Sequence, residues 1–180
     1  NAIPNVSVEA ENGHYVVYAT VDSTGQYTIT GLTADVYKVC AAANDFLNGC
    51  YGNPFDSSKA ATVTLSMQSP LAENINFPLS AGGRISGRVT TEDGQPLSGI
   101  WVTPLYRIDV PPGESPWSSV SRAVTDAEGY YTVTRLISQT YRIQFDPTIA
   151  GYTSLMSEYY ADAETAETAQ DVPLTRTQRI

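Results

Sequence analysis

Short runs of alternating apolar and polar residues follow one another along this chain, and turn-forming residues separate them. The run Arg84-Ile-Ser-Gly-Arg-Val-Thr90 alternates in this way and is followed by Glu92-Asp-Gly-Gln-Pro96, a sequence typical of a hairpin turn. Alternation with a period of two is typical of a strand with one buried face. The stretch 161–169 has a composition that suits a helical turn, but it lacks an apolar stripe. The pattern predicts an all-β fold.

The alternating pattern occurs twice. The segment Asp22-Ser-Thr-Gly-Gln-Tyr-Thr-Ile-Thr-Gly-Leu32 matches Asp126-Ala-Glu-Gly-Tyr-Tyr-Thr-Val-Thr-Arg-Leu136. Each segment continues into a second alternating run, and Tyr37 and Tyr141 hold the same place in those runs. Matches at fixed spacing and in the same order indicate an internal duplication, which decides the fold class.

Flanking segments extend the duplication on both sides. The matching pairs are Pro4–Val8 with Ser98–Val102, Phe77–Leu79 with Val172–Leu174, and Arg84-Ile85 with Arg179-Ile180. We therefore predict two tandem β-sandwich modules, at 1–80 and 81–174. The first module lacks its first strand in this chain, and residues 175–180 are the start of a following strand or a tail.

The Asp-x-x-Gly sequences at Asp22–Gly25 and Asp126–Gly129 predict two equivalent turns. An aspartate side chain accepts hydrogen bonds from backbone amides of such a turn, and glycine adopts the positive φ that the turn requires. The apolar residues that follow each turn are predicted to face the core.

Composition excludes several classes of function. The chain has 19 acidic and 10 basic residues, a formal charge of −9, and abundant Thr, Val, Ser and Tyr. Dispersed negative charge repels phosphate backbones, so no nucleic-acid partner is expected. No stretch approaches the roughly 20 apolar residues that span a bilayer, so no membrane span is expected.

Two cysteines, Cys40 and Cys50, lie near the end of one alternating run. Neither further cysteines nor clustered histidines are available to complete a zinc site with them. We favour a disulfide over two free buried thiols, and with it an oxidising, extracellular compartment.

No residue pattern predicts an active site. His14 is the one histidine, placed at a predicted hairpin tip, and no nucleophile-elbow motif accompanies it. We therefore predict that the chain is not an enzyme and has no cofactor. Calcium is the open alternative, because Ca²⁺ takes oxygen ligands from turns such as those at Asp22, Asp126, Glu128, Glu92 and Asp93.

Three stretches of the second repeat resemble the carboxypeptidase regulatory-like family. They are Gly83-Arg-Ile-Ser-Gly-Arg-Val-Thr90, Asp93-Gly-Gln-Pro-Leu-Ser-Gly-Ile-Trp-Val102 and Thr125-Asp-Ala-Glu-Gly-Tyr-Tyr131. The resemblance implies that the two predicted modules are transthyretin-like, Ig-like Greek-key β-sandwiches. Such modules are related to collagen-adhesin B repeats and starch-binding-like folds, and they occur in arrays on bacterial surface proteins. Such modules serve as spacers, adhesin stalks and enzyme appendages, so the resemblance points to a fold more than to a function.

The chain departs from the collagen-adhesin B pattern in one respect. Those repeats often carry an isopeptide bond from a lysine on the first strand, whereas this chain has Arg84 and Arg88 there and no lysine in its second repeat. Lys38 and Lys59 belong to other elements of the first repeat. An isopeptide bond of this kind is therefore not expected.

The first functional hypothesis is a structural module of an extracellular stalk, adhesin or fibre. The first repeat, without its first strand, would have an open sheet edge that a neighbouring copy fills by β-strand addition, giving a head-to-tail filament. The candidate donor is the tail formed by Thr175, Arg176, Thr177, Gln178, Arg179 and Ile180. The alternative origin of the missing strand is that the chain is a piece of a longer array.

The second hypothesis is a carbohydrate-binding accessory module of a secreted hydrolase. It requires exposed aromatic side chains that stack on sugar rings. The candidates are Trp117, which lies in the Pro/Gly-rich loop 109–119, and Tyr159 and Tyr160. Tyrosine is also an ordinary strand residue, and this purely structural interpretation competes at each position.

Overall fold

The computed structural model describes residues 3, 5–53, 57–76 and 78–175, and these residues form an all-β sandwich fold. Apart from strands, the described residues contain two single 3-10 turns, Ser57–Lys59 and Thr148–Ala150, and no α-helix. The stretch 161–169, whose composition suits a helical turn, is a series of turns that includes one hydrogen bond from the amide of Ala169 to the carbonyl of Thr165, 3.1 Å long.

Thirteen strands follow one another along the described ranges. They are β1 (Ser7–Glu11), β2 (Val16–Thr20), β3 (Val36–Ala42), β4 (Gly49–Cys50), β5 (Thr62–Thr64), β6 (Gly83–Arg88), β7 (Trp101–Arg107), β8 (Trp117–Ser118), β9 (Ala123–Val124), β10 (Tyr130–Leu136), β11 (Gln139–Asp146), β12 (Glu158–Tyr159) and β13 (Val172–Leu174).

The chain folds into two compact units. Unit 1 is Asn1–Ala81 and unit 2 is Gly82–Ile180. This division lies one residue beyond the module boundary predicted at Ser80. Thr175 belongs to no strand, and the rest of the predicted tail, 176–180, lies outside the described residues.

The strands of unit 1 form an antiparallel sheet. Its order is β2-β1-β3, and β4 and β5 both pair with β3 at different positions along it. Alternate residues of β1 and β3 point to one face, where Val8, Ala10, Tyr37 and Val39 are buried. Partly buried apolar side chains from outside the sheet pack against this buried cluster, among them Tyr27, Ile29, Leu32, Ile75 and Leu79.

Unit 2 is built from two sheets. The pair β6 and β10 forms one sheet, and the other is centred on β11 and β7, with β12 and β13 on β11 and with β8 and β9 on β7. Val102 from β7, Val133 and Leu136 from β10, and Tyr141 and Ile143 from β11 form a single buried cluster between the sheets. Both layers therefore contribute to one core, as in a β-sandwich.

The two Asp-x-x-Gly turns have the same geometry, as predicted. The Asp22 carboxylate accepts hydrogen bonds from the amides of Thr24 and Gln26, at 2.8 and 3.0 Å. The Asp126 carboxylate accepts from the amides of Glu128 and Tyr130, at 3.1 and 2.8 Å. Gly25 and Gly129 take φ values of 89° and 82°. The duplication thus extends from sequence to turn structure.

A buried tyrosine repeats with the same register. Tyr37 and Tyr141 are 1% and 0% exposed. Each hydroxyl donates a hydrogen bond to a backbone carbonyl four residues earlier, that of Thr33 or Ile137, and both distances are 3.0 Å. This shared contact fixes the equivalence of residues across the two units.

The units differ where the first repeat was predicted to lack a strand. In unit 2 the segment after the Asp126 turn is β10, which pairs with β6. In unit 1 the equivalent residues 26–32 belong to no strand, and the described residues include no counterpart of β6. A strand assignment requires a neighbour that completes the ladder, so the alternating sequence alone does not produce one.

A second difference between the units lies at the residue before Leu32 in unit 1 and before Leu136 in unit 2. Gly31 has a φ of 79°, and the equivalent Arg135 has a φ of 61° at a register shift in β10. Left-handed conformations are strained for residues other than glycine. Unit 2 therefore contains a local strain that unit 1 avoids.

Arg135→Gly is expected to stabilise unit 2 by about 1 kcal/mol, because it relieves a left-handed conformation that costs about 1–2 kcal/mol. Gly31→Ala is the matched control. A Cβ added at Gly31 meets nothing within 4 Å. Any destabilisation of unit 1 by Gly31→Ala therefore measures the cost of the left-handed backbone conformation without a steric clash. Urea unfolding followed by tryptophan fluorescence measures the first effect, since both tryptophans lie in unit 2. A destabilised Arg135→Gly variant would contradict this interpretation.

Candidate functional site

A groove of about 790 Å³ opens in unit 1 beside residues 25–32. Residues 70–76 form the opposite wall, and side chains of the sheet, among them Tyr37 and Val39, line the groove between the walls. The groove therefore follows a strand-like segment of unit 1 that lies outside its sheet.

The residues along this groove alternate as a strand does. Tyr27 and Ile29 are partly buried and pack against the core of unit 1, whereas Thr28 and Thr30 are exposed. The Tyr27 hydroxyl donates a 2.7 Å hydrogen bond to the carbonyl of Ile75, which links the two walls. Burial raises the pKa of Tyr27 above its ordinary value.

Unit 2 shows how the same positions look when a strand is present. Val133 and Leu136 are 1% and 0% exposed beside β6. Their equivalents in unit 1, Ile29 and Leu32, remain partly exposed. The difference in burial coincides with the difference in strand pairing.

Cys40 and Cys50 form a disulfide, as predicted. They face each other across the pairing of β3 with β4, with a Cα–Cα distance of 4.0 Å. Both residues are buried in unit 1. The bond closes the segment 41–49 and ties it to the strand that carries much of the core.

The Trp117 side chain belongs to a polar cluster on unit 2. Its indole N–H donates a 2.9 Å hydrogen bond to Glu167, and the Arg142 guanidinium lies 5.0 Å from its ring centre. Arg142 also pairs with Asp171 at 2.9 Å and donates to the carbonyl of Ala166. The bond from Trp117 holds the pKa of Glu167 below its ordinary value. These contacts fasten loop 109–119 to the segment before β13.

The two candidate tyrosines are placed differently. Tyr159 is partly buried in β12, opposite Gln144, and burial followed by the charge of Glu167 raises its pKa. Tyr160 is 46% exposed. The Trp117 indole N–H is thus already bonded to Glu167, and the neighbouring Arg142 is already paired with Asp171. Glycan binding by Trp117, Tyr159 and Tyr160 stays a prediction.

Aspartate carboxylates in the turns are used by the backbone. Asp22 and Asp126 accept amide hydrogen bonds, as described above. His14 lies at the tip of the β1–β2 hairpin, where its backbone amide donates a hydrogen bond to the Asn12 side chain. Within the described ranges, no three His, Cys, Asp or Glu side chains converge into a group able to hold a metal ion. Calcium binding stays an untested alternative.

Unit 1 is expected to lose stability in acid partly through Asp22. The Thr24 hydroxyl, then the amides of Gln26 and Thr24, hold the pKa of Asp22 below its ordinary value. A depressed folded pKa gives stability that is present above the unfolded pKa of about 4 and is lost as the pH falls through the folded value. An NMR titration of the Asp22 carboxyl should therefore give a pKa below the ordinary value of an aspartate, and Asp22→Asn should flatten this part of the acid unfolding curve. An ordinary pKa would contradict the assigned bonds.

The wall formed by residues 70–76 was not identified from the sequence. It lacks the alternation of a strand, and its exposed Leu71 is 69% accessible to solvent. The run Pro70-Leu-Ala72 between polar residues was the available signal, but it does not show which segment it will face. Its place opposite residues 25–32 is a result of tertiary structure.

None of the described residues forms a helix of the length and apolar character needed to cross a membrane. Comparison with protein-family models, with curated protein sequences and with solved structures gave no match to this chain.

Proposed function

We propose that this chain is a non-catalytic structural module of an extracellular stalk, adhesin or fibre, whose copies join head to tail by β-strand addition. The observation that carries the proposal is the groove of unit 1. A segment with strand-like alternation borders it, and no described strand pairs with that segment. Extended segments of other chains bind at such edges through main-chain hydrogen bonds.

Unit 2 supports the proposal as an internal template. Its β6 fills the position that is open in unit 1 and completes the burial of Val133 and Leu136. A strand that entered the unit 1 groove would bury Ile29 and Leu32 in the same way. Burial of apolar surface gives the association a driving force of about 25 cal/mol per Å².

The candidate donor is the tail Thr175–Ile180 of a neighbouring copy. The tail follows β13, which pairs with β11, and Thr175 is exposed at the point where the chain leaves that strand. Arg179-Ile180 repeats the Arg84-Ile85 of β6 in sequence. Two residues of the donor therefore match the first strand of unit 2.

The disulfide supports the extracellular part of the proposal. Disulfides persist in oxidising compartments and are rare where glutathione keeps thiols reduced. Cys40–Cys50 constrains β3, the central strand of the unit that contains the groove. The family resemblance described above, to repeats of bacterial surface proteins, points in the same direction.

Electron microscopy of the isolated material, combined with intact mass under denaturing conditions, tests the proposal. We expect filaments with an axial repeat of one two-unit copy that disperse into single copies under denaturing conditions. The matched control is a chain without residues 175–180, which should remain dispersed. Dispersed monomers of the complete chain at every concentration would contradict the proposal. A denatured chain much larger than one two-unit copy would show that the units form a continuous array and are not joined by strand addition.

A further inference from the structure

We propose that the groove selects its strand by requiring an aliphatic side chain opposite Ile29, which a neighbouring copy supplies as Ile180, and by requiring glycine at the position opposite Tyr27 in any strand that extends two residues further. This inference rests on the proposed function and adds the register and the selectivity of the junction. Its starting point is the pairing of β6 with β10, where the described part of the chain shows a first strand bound.

The register of that pair defines the two positions. Ile85 lies opposite Val133, and Gly87 lies opposite Tyr131. Ile85 packs against the buried cluster of unit 2, so the aliphatic residue of the strand completes the core. The residue two places further along passes over the tyrosine ring.

That ring leaves no room for a side chain on the neighbouring strand. A Cβ added at Gly87 would lie 2.8 Å from the hydroxyl oxygen of Tyr131 and 3.0 Å from two of its ring carbons. Burial raises the pKa of Tyr131, as expected for a phenol covered by the strand. Glycine is therefore a steric requirement at this position of β6.

The same register applies to unit 1 through the shared turns and the shared buried tyrosines. Tyr27 takes the place of Tyr131, and Ile29 takes the place of Val133. The hydroxyl of Tyr27 is anchored on the carbonyl of Ile75, which restrains the ring from moving aside for a larger residue. The groove thus presents an aliphatic contact and a tyrosine two residues before it.

Two residues of the tail match this register, and one does not. Arg179-Ile180 aligns with Arg84-Ile85, which places Ile180 opposite Ile29. The tail has Gln178 where β6 has Gly83, and a Cβ at Gly83 would lie 2.5 Å from the Leu174 side chain. The equivalent leucine in unit 1 must therefore turn aside for Gln178, and Gln178→Gly is expected to tighten the junction.

Charge also favours a donor from the tail. Residues 1–81 contain seven acidic residues and two lysines, whereas 175–180 contain two arginines and no acidic residue. Of these seven acidic residues, Glu73 lines the groove. Complementary charge of this kind speeds encounter and disfavours a donor of the wrong sign.

Cysteine cross-linking of the full-length chain tests the register. Ile29→Cys combined with Ile180→Cys should give a ladder of disulfide-linked oligomers on a non-reducing gel. Ile180→Cys alone can give no species larger than a dimer. The matched control is Tyr18→Cys with Ile180→Cys, because Tyr18 is exposed on β2, the other strand edge of unit 1. A ladder from the Tyr18 pair and none from the Ile29 pair would overturn the inference.

Peptide competition tests the selectivity. A peptide with the sequence of residues 82–90 should suppress the ladder. The same peptide with Gly87→Val should require about a tenfold higher concentration for the same effect, because its branched side chain meets the Tyr27 ring. Equal competition by both peptides would overturn the glycine requirement. Filaments that form without the Ile29–Ile180 cross-link would end this inference and leave the proposed function standing.

Discussion

Leu136→Ala is expected to destabilise unit 2 by about 3 kcal/mol, within the range of about 2–5 kcal/mol for a buried leucine replaced by alanine. Leu136 is 0% exposed and lies in one cluster with Val102, Tyr141 and Ile143. The cost combines the lost burial of the removed carbons with the cavity that they leave. Urea unfolding followed by the fluorescence of Trp101 and Trp117 measures it, because both lie in unit 2.

The equivalent change in unit 1 provides the matched comparison. In the dispersed chain, Leu32→Ala should lower the stability of unit 1 by only about 1 kcal/mol, because the Leu32 side chain is already partly exposed. In assembled material the cost should rise toward that of Leu136→Ala, since a bound strand would bury the side chain. Amide hydrogen exchange of β3 reports the stability of unit 1 in both states. Equal costs for Leu32→Ala in the two states would contradict a strand in the groove.

Removal of the disulfide by Cys40→Ala with Cys50→Ala is expected to destabilise unit 1 by about 3 kcal/mol. The two cysteines are 10 residues apart, and closing a loop of that length restricts the unfolded chain by roughly this amount. Both cysteines are buried, so alanine avoids placing a polar group in the core. The midpoint of urea unfolding, followed by exchange of the β1 and β3 amides, gives the change.

Chemical reduction of the unaltered chain is the control for this double substitution. It removes the same covalent constraint and leaves both sulfur atoms in place, so it separates the constraint from the packing of the side chains. We expect the reduced chain and the double variant to lose similar stability. A loss below about 1 kcal/mol in both would show that loop closure contributes little here.

The local features of the fold followed from the sequence because each depends on near neighbours. The Asp22 and Asp126 turns require an acceptor and a glycine three residues apart, and the chain carries both twice. The Glu92–Pro96 hairpin turn was also predicted, and Thr90 bridges Pro96 around it. The disulfide was favoured because two cysteines remained without another use. Short-range chemistry determines all of these.

Features that depend on distant neighbours were not predictable in the same way. The segment 26–32 has the alternation of a strand, yet strand pairing depends on a partner that no local pattern supplies. Trp117 was selected as an exposed aromatic residue, but the Glu167 that accepts its N–H lies 50 residues later in the chain. The opposite wall of the groove, residues 70–76, likewise meets residues 25–32 only in the folded unit.

Hydrogen exchange of the amides in residues 28–32 tests the central claim most directly. In the dispersed chain we expect these amides to exchange faster than those of the equivalent residues 132–136 in β10, which pair with β6. In assembled material the exchange of residues 28–32 should slow toward that of β10, because a donor strand accepts their hydrogen bonds. Unchanged exchange in these residues on assembly, with new protection at the β2 edge instead, would contradict strand addition in the groove.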